Sequence, residues 1–393
     1  MTARKNRNNA TRAVRAGLES DRQYGAVVPP IYLTTNFAFD GYRKPRSKYD
    51  YTRSGNPTRD QLADALADLE GGAGAVVTCT GLAAVTLILA TLPAASRVLA
   101  PHDCYGGTFR LLAAMHQQGK LLVDFVDQRD ARALETALAA KPRLVWIETP
   151  SNPLLRIVDI AALAAKAHAV GALVVADNTF LSPVWQQPLA LGADLVLHST
   201  TKYLNGHSDV VGGAVIAATA EQHADLAWWA NAIGVTGAPF DSFLTLRGIR
   251  SLHARMRVHA ENAVAVVETL RKHPVVKRVY YPGLADHPGH DIARRQQSGF
   301  GAMLSFELAG GEAAVEEFLH GLECFTLAES LGGVESLIAH PASMTHAGMD
   351  DAARARAGIG PGLLRVSVGI EDTVDLLADL NAALKRADRS AAA

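Results

Sequence analysis

The sequence predicts an α/β fold with a mostly parallel sheet in a large domain, followed by a smaller C-terminal α+β domain. Three observations carry this. Between about residues 73 and 217, short β-rich runs alternate with helical segments rich in Ala and Leu, the pattern of a mainly parallel sheet covered on both faces. A long helical stretch follows near 242–272 and ends at His273-Pro274. Beyond it, strand-like runs near 276–281, 301–308 and 363–368 precede a last helix at about 372–386.

Residues 1–57 hold few periodic apolar segments and read as an extended arm. Turn and aromatic residues dominate there: Tyr42, Pro45, Tyr49, Tyr51, Asn56 and Pro57. Asn56 then predicts an N-cap, with Pro57 at the first helical position. Leu62, Ala65, Leu66 and Leu69 follow at helical spacing. The predicted strands are Ala75–Val77, Arg97–Ala100, Leu121–Phe125, Leu144–Glu148, Leu173–Ala176, Asp194–His198 and Ala214–Ala217. Residues 388–393 read as a frayed tail.

Composition narrows the function. Hydrophobic residues are 49% and charged residues 20%, too apolar for a disordered chain. The 393 residues suggest two or three domains. The 38 basic and 39 acidic residues leave a net charge of −1, so no overall field steers the chain onto nucleic acid or an anionic membrane. Cys79, Cys104 and Cys324 are too few for a disulfide framework and suit a reducing, cytoplasmic setting. The uncharged stretch between Glu70 and Arg97 is interrupted by Gly71, Gly72, Gly74, Gly81 and Pro93. It reads as strand, turn and buried helix rather than a membrane span. The basic first eighteen residues lack an apolar segment behind them, which speaks against a secretory signal; the composition also suits an organelle transit peptide, and a solvated N-terminal arm is the favoured reading.

Polar residues fall just after strand ends, where ligands bind in such sheets. Lys202 lies in His198-Ser199-Thr200-Thr201-Lys202-Tyr203. A lysine in a dry site is available as a Schiff-base nucleophile, and the hydroxyls of Ser199 and Thr201 suit a phosphate. Alone, the segment also reads as an exposed lysine with ordinary neighbours. Asp177 ends the strand before it and could pair with a pyridine nitrogen, or simply cap a loop. Together the two are a pyridoxal-phosphate signature. Thr80-Gly81-Leu82 opens a helix after a strand, a place for phosphate. Tyr105 could stack on a flat ring. Arg365, in an apolar strand, wants a carboxylate, from a ligand or from within the chain. No metal site is expected: His287 and His290 have no third ligand nearby, and His102, Asp103 and Cys104 are adjacent. Neither G-x-G-x-x-G nor G-x-S-x-G occurs.

The segments Tyr51 to Thr58, Pro101 to Gly107, Ser151-Asn152-Pro153, Asp177 to Phe180, His198 to Asp209 and Phe325 to Ser336 together resemble the Cys/Met-metabolism family of pyridoxal-phosphate enzymes. The likeness runs from Tyr24-Gly25 to about Gly369-Ile370. It implies the aminotransferase type I fold and pyridoxal 5'-phosphate as cofactor. It also implies a homotetramer, a dimer of dimers with shared active sites. Residues 1–57 would be an arm reaching the neighbouring subunit's site, 58–255 the cofactor-binding domain and 256–393 the C-terminal substrate domain.

Residue by residue, the resemblance makes Lys202 the covalent anchor and, with Tyr105 and Asp177, a catalytic residue. Gly81, Leu82, Ser199 and Thr201 would bind the phosphate, joined by Tyr51 and Arg53 of the neighbouring subunit. Tyr105 would stack on the ring, Asp177 would hold its nitrogen, and Thr179 belongs with the cofactor residues. Asn152 and Arg365 would hold the substrate carboxylate. Asp50, Arg110, Glu329 and Ser330 would complete the substrate side. Thr80 and Leu82 replace the Ser and Met common in the family; little change is expected, because backbone groups bind the phosphate there. Asp50 beside Tyr51, Trp228-Trp229-Ala230-Asn231 and Phe325–Ser330 look like the family's γ-replacing members. These join an O-acylhomoserine, here O-succinylhomoserine, to L-cysteine and release cystathionine and succinate. The alternative is a γ-lyase that splits cystathionine into cysteine, α-ketobutyrate and ammonia. A non-catalytic binding protein on this fold is more remote, because Lys202, Asp177, Tyr105 and Arg365 are all present.

Overall fold

The computed structural model describes residues 7–349 and 351–391. The chain forms two compact units, Met1–Pro93 with Val174–His253, and Ala94–Leu173 with Ala254–Ala393.

In the first unit, the arm is less extended than its sequence predicts. It contains a short helix, Asn9–Val14, and a small antiparallel pair, Phe39–Gly41 with Lys44–Pro45. Ala13 of that helix is buried, and Asn9 Nδ2 donates to the Pro183 carbonyl at 2.8 Å. Six residues with one buried side chain are too few for periodicity to register. The helix Pro57–Glu70 begins as its sequence predicts. Asn56 caps it, accepting from Thr58 and Arg59, and Gly71 ends it in the left-handed region at φ +77°. Leu62, Ala65, Leu66 and Leu69 form its buried face.

Four strands of this unit lie in the order Gly74–Thr78, Gly213–Ala217, Leu195–His198, Leu173–Asp177. The first two joins are antiparallel and the last is parallel. A Cβ on Gly213 would sit 2.3 Å from the Thr80 carbonyl oxygen. Only glycine lets the turn that opens the helix Gly81–Ala90 come so close.

In the second unit, Leu144–Glu148, Ser96–Pro101 and Leu121–Val126 are parallel neighbours in that order. The helices Gly106–Gln117, Ala131–Ala139 and Ile160–Ala169 alternate with them. Asp130 and Asp159 cap the second and third of these helices.

The unit also carries a five-stranded sheet: Val276–Tyr280, Met303–Leu308, Leu363–Ser367, Ser336–Ala339, Phe325–Leu327. Its joins are antiparallel except the last. The strands at 325–327 and 336–339 are absent from the sequence prediction. At three and four residues they offer too little alternation, and Gly332 and Gly333 lie between them.

Two further corrections concern helices. The stretch 242–272 is two helices, Pro239–Ile249 and Leu252–Lys272, interrupted at Arg250 and Ser251. Gly248 packs so tightly that a Cβ would lie 2.1 Å from the Asn205 carbonyl oxygen. The final helix is Thr373–Ala391, so 388–391 are helical rather than frayed. Residues 392–393 lie outside the described residues, as do 1–6 of the basic arm. The buried stripe Leu376, Leu380, Ala383, Leu384 and Ala387 continues the helical period past residue 386. Among the described residues, no helix is long and apolar enough to cross a membrane.

His259, on Leu252–Lys272, is fully buried and hydrogen-bonds through Nδ1 to the Val368 carbonyl at 2.7 Å. Burial pushes its imidazole down to about 4, against the pull of that carbonyl. The unfolded chain therefore binds the extra proton first. Its contribution to stability is complete above the ordinary histidine value of 6.5 and is lost as pH falls toward about 4. One such group gives a slope of about 1.4 kcal/mol per pH unit in that window. His259→Gln keeps a donor for Val368 and should flatten the slope by about one proton. Urea unfolding of both proteins at several pH values between neutral and 5 checks this. Identical slopes would contradict it.

Candidate active site

In the first unit, two parallel strand ends and one helix start supply the polar groups. Thr80 caps the helix Gly81–Ala90, its Oγ1 accepting from Ala83 N at 2.8 Å. The N–H groups of Gly81 and Leu82, at the first two helical positions, have no intrahelical acceptor. They point the positive end of the helix at any anion there. A Cβ on Gly81 would lie 2.9 Å from Ser199 Cβ and 3.0 Å from its Oγ, so the helix start and the Ser199 hydroxyl abut. Ser199 N–H donates to Thr179 Oγ1 at 2.9 Å, and Thr179 N–H donates to Asp177 Oδ1 at 3.0 Å. A short chain of bonds thus ties the end of Leu173–Asp177 to the segment after Leu195–His198. Lys202 follows in that segment, half-buried, its N–H donating to Ser199 O at 3.3 Å.

Thr201 is engaged differently. Its hydroxyl donates to Gly212 O at 3.1 Å and accepts from Gly212 N at 3.0 Å. To donate to a phosphate, that proton would have to turn away from Gly212. Asp177 carries a carboxyl raised above its ordinary range. Desolvation is the largest cause, opposed by hydrogen bonds from Thr179 and by the proximity of His198. A desolvated carboxylate is stabilised by a nearby cation.

Behind these groups lies a buried polar cluster that sequence reasoning missed. Glu70, the last residue of Pro57–Glu70, meets His198 Nε2 at 2.6 Å, with both side chains fully buried. The same Glu70 Oε1 accepts from Asn178 Nδ2 at 2.8 Å. Asn178 in turn exchanges bonds with Gln186, 2.8 Å to its carbonyl and 3.1 Å from its amide. The signal was present as a glutamate on the apolar side of a helix, but its partners lie more than a hundred residues away.

On the arm, Asp50 Oδ1 accepts from Tyr51 N at 2.6 Å and from Ser54 Oγ at 3.1 Å. Arg53 donates to Asn231, at 2.7 Å to its carbonyl and 2.6 Å to Oδ1, and its guanidinium sits 5.6 Å from the Tyr51 ring centroid. Asp50, Tyr51 and Arg53 are exposed. The arm is tied down by buried Arg59, which donates to the carbonyls of Thr52, Arg53 and Gly237.

The second unit collects the other candidates. Tyr105 caps the helix Gly106–Gln117, which also carries Arg110. Tyr105 is 42% exposed. Burial, then the Glu329 charge, raises its phenol above the ordinary value, against Arg110. Arg365 is buried in Leu363–Ser367. It donates through Nη1 to Asn152 Oδ1 at 3.1 Å and through Nη2 to Ser330 O at 2.7 Å. Ser330 has φ +89°, a left-handed conformation that costs a serine on the order of 1–3 kcal/mol. That backbone presents its carbonyl to the guanidinium. His346, which sequence reasoning also missed, lies 3.2 Å from the Asn152 carbonyl. Burial, then the Arg365 charge, pushes its imidazole down to about 4. Tyr105 N–H and Asn152 N–H both end on Glu148, at 2.8 and 3.3 Å.

The groups of the first unit suit the cofactor that the sequence implies. The helix start with Ser199 fits a phosphate, desolvated Asp177 fits a protonated ring nitrogen, and Lys202 offers an amine; the second unit, taken by itself, offers the ring of half-exposed Tyr105. In the second unit, Arg365 is a buried guanidinium held in place by Asn152 Oδ1 and the Ser330 carbonyl, a group chemically suited to a carboxylate.

A family model, "Cys/Met metabolism PLP-dependent enzyme", matches residues 10–385. The chain is 58% identical to cystathionine gamma-synthase of Escherichia coli over 98% of this chain and 99% of that protein. It is 46% identical to cystathionine gamma-lyase of Dictyostelium discoideum over 98% and 100%. Among solved structures, cystathionine gamma synthase from Xanthomonas oryzae pv. oryzae, in complex with aminoacrylate and cysteine, is 62% identical with a TM-score of 0.96, over 98% of this chain and 99% of that one. Cystathionine gamma-lyase from Lactobacillus plantarum, complexed with L-serine, is 41% identical with a TM-score of 0.93, over 97% and 100%. The fold is the aminotransferase type I fold of these enzymes. By the family match and these full-length likenesses, the chain belongs to the Cys/Met-metabolism family of pyridoxal-phosphate-dependent enzymes.

Proposed function

We propose that the protein catalyses γ-replacement on an O-acylhomoserine. L-Cysteine displaces the acyl group, so O-succinylhomoserine and cysteine give cystathionine and succinate. The observation that carries this is the difference in likeness. Identity to the γ-synthases of E. coli and X. oryzae is 58% and 62%, against 46% and 41% for the γ-lyases of D. discoideum and L. plantarum.

Pyridoxal phosphate, when bound, supplies an electron sink for negative charge developing beside the amino-acid nitrogen. The chain's own groups do the rest. Gly81 and Leu82 N–H, Ser199 Oγ and a re-aimed Thr201 hydroxyl bind phosphate. Asp177 holds the proton on the ring nitrogen by coulombic attraction. Tyr105 covers the ring. Arg365 and Asn152 hold the α-carboxylate and so fix which way the α C–H bond points. Lys202 Nζ takes the α proton and then moves one from the β carbon. The acylate leaves from the γ carbon and the cysteine sulfur takes its place, after which the protons return. General acid–base transfer of this kind contributes about 10²–10⁴-fold.

The assignment of 58–255 to cofactor and 256–393 to substrate, the cytoplasmic setting and the tetramer with shared sites belong to the same proposal. The exposed arm residues Tyr24, Tyr42 and Tyr51 support an arm that docks on a neighbour.

Product analysis tests the reaction. With O-succinylhomoserine and cysteine the expected product is mostly cystathionine. Without cysteine, slower elimination to α-ketobutyrate, ammonia and succinate is expected. With cystathionine alone, little cleavage should occur. Cystathionine cleavage faster than synthesis, under matched saturation, would hand the assignment to the γ-lyases.

Subunit mixing tests the shared site. Arg53→Ala and Lys202→Ala should each be inactive. After mild dissociation and mixing, one site per hybrid dimer carries both native residues, and activity should return. No recovery, with exchange verified by mass spectrometry, would mean that each site is built within one chain.

A further inference from the structure

Glu148 closes the strand Leu144–Glu148 with its side chain buried, and none of the roles above uses it. Its two carboxylate oxygens are divided. Oε2 accepts from the backbone N–H of Tyr105 at 2.8 Å, and Oε1 accepts from the backbone N–H of Asn152 at 3.3 Å. Tyr105 caps a helix that has no side-chain cap bond and no acidic residue in its first turn. The charge that complements this helix start therefore comes from the end of the neighbouring strand element. Asn152 stands four residues beyond Glu148, and its side chain carries Arg365. One carboxylate thus fixes the backbone of the residue whose ring would cover the cofactor and of the residue that would hold the substrate carboxylate.

We propose that Glu148 is a positioning residue that sets Tyr105 and Asn152 in register with each other, so that ring stacking and carboxylate binding are established together. This rests on the roles given above to Tyr105 and Asn152. A carboxylate is required, because both bonds need an acceptor. The amide of a glutamine offers one oxygen and one NH2, so one of the two N–H groups would face a donor. A buried N–H deprived of its acceptor moves to find another, and it takes its residue with it.

The test uses holoenzyme of the parent, Glu148→Gln, Asn152→Ala and the double variant. Visible circular dichroism reads the ring environment. A visible-spectrum titration with glycine, which needs only an amine and a carboxylate, reads the carboxylate site and requires no turnover. Glu148→Gln should keep its bound cofactor. It should lose at least a third of the visible ellipticity and bind glycine about tenfold more weakly, equivalent to about 1.4 kcal/mol. Adding Asn152→Ala to Glu148→Gln should then weaken glycine far less than it does in the parent, because coupled groups are not additive.

Parent-like dichroism and glycine affinity in Glu148→Gln would overturn the proposal, as would additive losses. If Glu148→Gln does not fold, Glu148→Asp carries the test. Its shorter carboxylate should disturb both readouts together, and a change in neither, or in one alone, would refute the coupling. Failure of the γ-replacement reading appears separately, in the parent's products.

Discussion

The bond between Glu70 and His198 is 2.6 Å long and wholly shielded from water. A carboxylate in such a place is tolerated only with its partners, and breaking a buried pair by removing one partner typically costs about 3–5 kcal/mol. Glu70 recruits two partners from two strand ends. His198 closes Leu195–His198, and Asn178 directly follows Leu173–Asp177. Next to those partners in sequence stand Asp177 and the Ser199 to Lys202 segment. The groups assigned to ring nitrogen, phosphate and covalent anchor therefore inherit their placement from a pair that touches none of those ligands. His198 also pulls the Asp177 carboxyl downward, against the desolvation that raises it.

The second unit repeats the device with different parts. Glu148 at a strand end gathers two backbone N–H groups, and Arg365 takes an amide oxygen and a carbonyl from two other segments. Asp103 does the same, accepting from Ser151 Oγ at 2.7 Å and pairing with Arg156 at 2.8 Å. In each case one buried charge is held by several groups at once, most of them distant in sequence, which fixes the segments that carry them. Rigid placement is what catalysis by positioned groups requires.

Much of this was legible beforehand. The strand–helix alternation is visible because each buried parallel strand is an apolar run, and Asn56-Pro57 announces its helix by the chemistry of capping. Asp177, Lys202 and Arg365 were legible because a charged residue at a strand end or inside an apolar strand needs a reason. Partners were not legible. Glu70 sits 128 residues from His198 and Glu148 sits 43 from Tyr105, and no local pattern links them. The strands at 325–327 and 336–339 were too short to show a period. The break at Arg250 and Ser251 falls on a stretch whose own pattern is continuous. The reciprocal bonding of Thr201 with Gly212 likewise depends on a loop return that residue types do not announce.

Hydrogen–deuterium exchange of Glu70→Gln holoenzyme, read by mass spectrometry, bears most directly on the bracing role of the buried pair. Glutamine keeps the size of the side chain and one acceptor but removes the charge. The account requires peptides covering 173–205 to exchange at least about tenfold faster than in the parent, equivalent to about 1.4 kcal/mol of lost local stability. Peptides covering Met303–Leu308 and Leu363–Ser367 should keep the parent rate. Unchanged protection across 173–205, in a variant that retains its fold, would contradict it.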